Sequence, residues 1–153
     1  MRVWRLSKAK FAESSFSGEG AKLFEGRWNF AGVPMVYTST SLALAAMEFF
    51  VHLEPGDAPS DLVCGRADIP DDLQREKMDI RKLPAGWRQL DNQDLQRWGS
   101  DWARSKRSVA LEVPSAVVEG EWNVLLNPAH PGFHKIKVAP AKTFHYDERM
   151  FKR

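Results

Sequence analysis

Pro34-Met35-Val36-Tyr37-Thr38-Ser39-Thr40-Ser41-Leu42-Ala43-Leu44-Ala45-Ala46-Met47-Glu48-Phe49-Phe50-Val51-His52-Leu53 is the stretch from which the architecture is read. Residues 34–38 form a short apolar run rich in residues that fit a pleated strand. Ser39, Thr40 or Ser41 then offers a hydroxyl to cap a helix that runs to about Leu53, and Pro55-Gly56 ends it. Leu42, Ala45, Phe49 and Leu53 line one side of that helix; Leu44, Glu48 and Val51 share another. A helix apolar on most faces is expected to be buried. Glu48 is the single carboxylate in the run. An unpartnered buried ion is costly, so Glu48 needs either a partner or a task. The plain reading is a helical pair with His52, worth a few tenths of a kcal/mol. The functional reading is a polar pocket built around Glu48.

Working outward, Val3–Leu6 reads as a first strand and residues 7–32 as a long loop, a length that in compact domains often carries function. Asp61–Ile69 reads as a strand, and residues 70–90 are mixed, with prolines at 70 and 84. Asp91 or Asn92 can cap a helix to about Lys106, with Leu95, Trp98 and Trp102 as its core stripe. Ser108–Val113 reads as a strand that Pro114 ends, and Glu121–Leu126 leads into the turn Asn127–Gly132. His134–Val138 alternates like a half-buried strand, and Lys142–Tyr146 reads as the last one. Short strands with two main helices predict an α+β fold, with a mixed or antiparallel sheet in one compact domain over residues 1–153.

The 153 residues suffice to bury a real core, and six tryptophans and nine phenylalanines supply it. With 43% hydrophobic and 27% charged residues the chain reads as folded and soluble. A net charge of +2 gives no reason to expect nucleic-acid binding. Arg97, Arg104, Lys106 and Arg107 read as a solvated helix face. No signal peptide is evident, and the longest apolar run is too short and too polar to cross a bilayer, so a cytoplasmic, membrane-free protein is expected. Cys64 reads as a buried strand thiol, and no metal pattern accompanies it.

Beside Glu48, four positions could carry chemistry. Ser39 sits at the helix N-terminus, where free amides and the helix dipole favour an anion such as phosphate. Glu48 is two turns on, roughly 10 Å away, a span that a phosphorylated ribose could bridge. Arg27, between Gly26 and Trp28, is a planar fork suited to phosphate or carboxylate, and equally a salt-bridge residue. Ser115 follows Pro114 without the Gly-x-Ser-x-Gly context of a hydrolase elbow. Tyr37 ends its strand close to the cap. There is no Gly-Lys-Ser/Thr loop, and Gly18-Glu19-Gly20 lacks the third glycine of a dinucleotide fingerprint.

Taken in order, Glu25-Gly26-Arg27-Trp28-Asn29, Val36-Tyr37-Thr38, Ala46–Leu53, Val113-Pro114-Ser115-Ala116 and Glu121–Pro128 resemble the RES domain family. Glu25 departs from the pair of glycines that often opens the arginine motif. The resemblance implies a fold like that of ADP-ribosylating toxins and a toxin of a RES–Xre toxin–antitoxin pair that degrades NAD⁺. It implies a site of Arg27, Tyr37, Glu48 and Ser115, with Asn127 lining it. Arg27 is expected on the pyrophosphate, Tyr37 against nicotinamide or its ribose, and Ser115 and Ser39 on substrate oxygens. No cofactor or metal is expected. NAD⁺ is the substrate, and inorganic phosphate is one of three candidate nucleophiles, with water and a protein side chain. The implied partner is an Xre-type antitoxin that blocks the pocket in a hetero-oligomer. A protein-directed ADP-ribosyltransferase and a non-catalytic nucleotide-binding module remain the alternatives.

Overall fold

Eight strands make one mixed sheet in the computed structural model, which describes residues 1–152. They are β1 (Arg2–Lys8), β2 (Val36–Ser39), β3 (Leu62–Asp68), β4 (Arg75–Lys77), β5 (Ala110–Pro114), β6 (Trp122–Leu126), β7 (Lys137–Val138) and β8 (Lys142–Phe144). The order is β4-β5-β6-β2-β1-β3-β7, with β8 also pairing β3. Only β4 and β5 run parallel; the remaining pairings are antiparallel. Three helices accompany the sheet: α1 (Glu19–Leu23), α2 (Leu42–Phe50) and α3 (Gln93–Ser105). The α+β architecture with two main helices is the one expected.

Register decides what faces what. Trp4 pairs with Ser39, Ser39 with Asn123, and Asn123 with Val113. Residues paired across strands share a face, so these four lie in one row. The next row on that face holds Tyr37, Leu125 and Leu111. Both main helices pack on this side. α3 brings Leu95, Trp102 and Ala103 against Leu111, Val113 and Leu125, together with Trp28 and Trp87. α2 brings Ala45 against Leu6, Leu62 and Cys64. The opposite face is closed by Val3, Val36, Val124, Leu126 and Ala110 under Phe16, Ile69 and Leu73. Each of the larger side chains contributes about 1.5–3 kcal/mol on burial. The row Ser39–Asn123 is left in the gap between the helices.

Several expectations need correction. α2 ends at Phe50 with Val51 as its cap, and only Leu44 and Ala45 on it are buried. Met47 is 39% and Val51 55% exposed, because the helix covers the sheet with one side alone. His52 lies past the helix end, and among the described residues it makes no ion pair with Glu48. In the alternating segment His134–Val138, His134 and Lys135 belong to a tight helical turn, and the strand is confined to Lys137–Val138, both exposed. Arg75-Glu76-Lys77, unreadable by periodicity, forms the charged edge strand β4, a composition that discourages further pairing. The loop 7–32 carries a helical turn at Ala9–Phe11 and the short α1. Cys64 is buried in β3 as expected, and burial pushes its thiol up. Arg97, Arg104 and Arg107 make surface ion pairs with Asp94, Asp101 and Glu76.

The α3 stripe is also displaced. Asn92 caps the helix through the Asp94 and Leu95 amides. Leu95 and Trp102 are buried, but Trp98 is 36% exposed and sits at the edge of the contact. The buried arc is completed by Gln96, Gly99, Ser100 and Ala103, and Gly99 lies near its middle. A β-carbon on Gly99 would fall 1.8 Å from the Trp28 carbonyl oxygen. Gly99→Ala therefore has to push the helix off the Trp28 loop. It is expected to destabilise the fold by about 1–3 kcal/mol, seen as a lowered midpoint in calorimetry; an unchanged midpoint would contradict this packing.

Candidate active site

Glu48 points from α2 into the gap between the helices and is half-buried. Its Oε1 accepts from the Ser115 hydroxyl at 2.7 Å and from Asn123 Nδ2 at 2.5 Å. Ser115 lies one residue beyond β5, in a turn where its oxygen accepts the Val117 and Val118 amides at 3.1 and 2.9 Å. A hydroxyl has two lone pairs and one proton, so the proton goes to Glu48. Asn123 is held in turn: Ser39 donates to its Oδ1 at 2.7 Å. Two donors converge on one oxygen, and among the described residues Oε2 has no hydrogen-bond donor from the protein.

Arg27 approaches from the loop between α1 and β2. Its Nη1 donates to the Trp87 and Gln89 carbonyls at 2.9 and 3.0 Å, which leaves the other guanidinium donors for a ligand. Burial pushes the guanidinium below its ordinary range, and the charge of Glu48 opposes that. The two side chains are therefore close enough for their charges to act on each other.

The loop that carries Arg27 is pinned through backbone groups of Gly26, Trp28, Asn29 and Phe30. Asn29, fully buried, donates to the Ala21 and Phe30 carbonyls at 2.7 and 3.1 Å and accepts from the Gly26 amide at 3.1 Å. The Tyr37 hydroxyl donates to Asn29 Oδ1 at 2.6 Å and accepts from the Trp28 amide at 3.0 Å. Burial pushes the Tyr37 phenol strongly up, so it stays a donor. From α3, Gln96 donates to the Gly26 carbonyl at 3.1 Å, and Ser100 accepts from the Phe30 amide at 2.9 Å. Gly26 has no room for a side chain: a β-carbon there would sit 2.7 Å from the Tyr37 hydroxyl.

The structure thus joins Ser115 to Glu48, ties Tyr37 to the loop of Arg27 and sets Arg27 within electrostatic reach of Glu48, with different contacts from those expected for some. Ser115 is 1% exposed, and its hydroxyl bonds Glu48 and the Val117 and Val118 amides. Ser39 is buried and holds Asn123; the helix cap is Ser41, which accepts the Leu44 amide. Asn127 is not brought to the cleft. It is fully buried one residue past β6, donating to the Ala103 carbonyl at 2.7 Å. Along an extended strand it is roughly 13 Å from Asn123. Asn123, Asn29, Gln96 and Ser100 were missed. Asn29 and Asn123 stood inside quoted motifs, and their signal was an amide amid apolar neighbours.

A cavity of about 220 Å³ adjoins Ser115, walled by Trp87, Pro114 and Trp122 and edged by Glu119 and Glu121. Among the described residues no group of His, Cys, Asp or Glu could hold a metal, and no helix is long and apolar enough to cross a membrane.

Tyr37→Phe removes one hydroxyl from this loop and strands the Trp28 amide. The expected cost is about 1–3 kcal/mol in denaturant unfolding, and unaltered stability would contradict the anchoring role.

Known proteins share this fold and much of this sequence. A chain of the Mycobacterium tuberculosis MbcT–MbcA toxin–antitoxin complex superposes with a TM-score of 0.67 at 17% identity, over 99% of this chain and 86% of that one. Toxin Res of Photorhabdus laumondii is 39% identical over 99% of this chain and 98% of its own length. The Prs ADP-ribosylating toxin of Sphingobium sp. YBL2 is 37% identical over 98% and 96%. The RES domain model matches residues 2–147, and the chain belongs to the RES domain family.

Proposed function

We propose that this chain is the toxin of a toxin–antitoxin pair and that it breaks the nicotinamide–ribose bond of NAD⁺. The observation that carries the reading is the Glu48 carboxylate, fixed through Oε1 and open through Oε2, within electrostatic reach of Arg27. Cleavage of that bond develops positive charge on the ribose, as in glycoside hydrolysis. A carboxylate already oriented beside it stabilises the charge without reorganising. Nicotinamide is cationic in NAD⁺ and departs as a neutral base with the bonding electrons, so no general acid is needed. Arg27 has free donors for the pyrophosphate, and the ring of Tyr37 offers an apolar face to nicotinamide. Electron-deficient ribose carbon then takes a lone pair from a nucleophile. Water yields ADP-ribose, and inorganic phosphate yields ADP-ribose phosphorylated at the same carbon.

The name of the Sphingobium relative favours a second reading, in which the nucleophile is a side chain of a target protein. An antitoxin, of the Xre type by family resemblance, fits the surroundings of the cleft. Leu23 and Phe24 precede Arg27, Leu90 follows one of its carbonyl anchors, and Met47 and Val51 flank Glu48, all exposed. Exposed apolar groups of this kind mark protein contacts.

Proton NMR of NAD⁺ incubated with the purified protein tests the reading. Free nicotinamide is expected. Release that needs phosphate marks a phosphorylase; release without it marks a glycohydrolase. Release only with an acceptor-protein extract marks a transferase. No release under any of these conditions would overturn the proposal.

A further inference from the structure

Asn123 is placed with unusual constraint for a strand residue on an open cleft. It pairs with Ser39 on one side and Val113 on the other, so the backbone leaves its side chain one direction. Its amide could be turned either way by geometry alone. Chemistry removes that freedom. Glu48 as a carboxylate can only accept, so the group facing it at 2.5 Å is the NH₂. Oδ1 then faces Ser39, whose hydroxyl must donate at 2.7 Å. Ser39 is buried and forms no other side-chain bond to a described residue. The hydroxyl thus has one evident task, to hold the amide in that orientation.

We propose that Asn123 is a positioning residue for the reaction: held by Ser39, it donates to Glu48 Oε1 and so presents Oε2 as the oxygen that meets the charge developing on the substrate. Ser115 supplies the second donor to the same oxygen. A carboxylate with one oxygen doubly bonded cannot rotate freely about its last torsion, so Oε2 keeps one place. Loss of a charge-assisted bond to the carboxylate lets it swing, and the penalty falls on the transition state more than on substrate binding. The inference rests on the proposed NAD⁺ cleavage for its kinetic consequence, and on hydrogen bonding alone for its structural one.

The test uses Asn123→Ala, Asn123→Asp and Ser39→Ala in the full chain. Asn123→Ala is expected to lower kcat for nicotinamide release about 10- to 100-fold, with KM within about threefold of the wild type. Ser39→Ala, which frees the amide to turn, should fall between. Asn123→Asp sets a second carboxylate against Glu48. Its deficit relative to wild type should shrink as pH falls, because one proton between the two groups restores a donor to Oε1. A wild-type kcat in Asn123→Ala, a loss confined to KM, or a pH-independent deficit in Asn123→Asp would overturn the proposal. A second measurement needs no activity: the Asn123 side-chain amide in ¹H–¹⁵N spectra should carry a downfield proton that moves upfield in Glu48→Ala and in Ser39→Ala. An Asn123 amide at the ordinary solvent-exposed position overturns the proposal even if the protein cleaves NAD⁺. A wild type that releases no nicotinamide, yet shows the shifted amide, sinks the functional reading and leaves the hydrogen-bond relay standing.

Discussion

Everything in the cleft depends on a charge held on one helix by groups on two strands and a turn. Glu48 belongs to α2, Asn123 to β6, Ser39 to β2, and Ser115 to the turn that follows β5. A half-buried carboxylate is tolerated only when hydrogen bonds replace the water it has lost. Here two donors do so at a single oxygen, and neither donor is free to turn away. Ser115 is committed by two backbone amides and Asn123 by a buried hydroxyl. The same bonds that make the ion tolerable leave one of its oxygens unspent and aimed. Stability and chemistry are therefore served by one arrangement.

The arginine is handled by a different device. Its loop has little regular structure, so its backbone groups need partners from elsewhere. Asn29 and Tyr37 satisfy them from one side, and the polar edge of α3, Gln96 and Ser100, from the other. Close approach is secured by two residues without side chains: Gly26 under the Tyr37 hydroxyl and Gly99 under the Trp28 carbonyl. Arg27 itself is steered by two carbonyls near Trp87. The loop is long for a compact domain, but it is cross-braced rather than loose.

Much of this was legible in the chain. The β2–α2 unit, the strand around Val113, the helix capped by Asn92 and the singular Glu48 all follow from periodicity, capping and desolvation. What failed did so for identifiable reasons. Trp98 was read into the core because aromatic residues dominate a stripe, whereas the contact is centred on Gly99, a residue that hydropathy ignores. β4 is three charged residues whose pairing depends on β5 and on nothing local. His52 looked like a partner for Glu48 until the helix ended one turn early. The protein partners of Ser115 and Ser39 could not be read, because a sequence names donors without saying what they bond. Asn123 and Asn127 stand four residues apart on the same strand and its end, and only the register with Ser39 separates the one in the cleft from the one beneath α3.

The central claim is that Glu48 acts on the transition state and not on the bound substrate. Glu48→Gln tests it most directly, since the amide oxygen can keep both hydrogen bonds while the charge is lost. Calorimetric titration of this variant with NAD⁺, beside its rate of nicotinamide release, should give a dissociation constant within about threefold of the wild-type KM, and turnover reduced by about a thousandfold or more. Binding lost together with turnover, or turnover retained, would contradict the account.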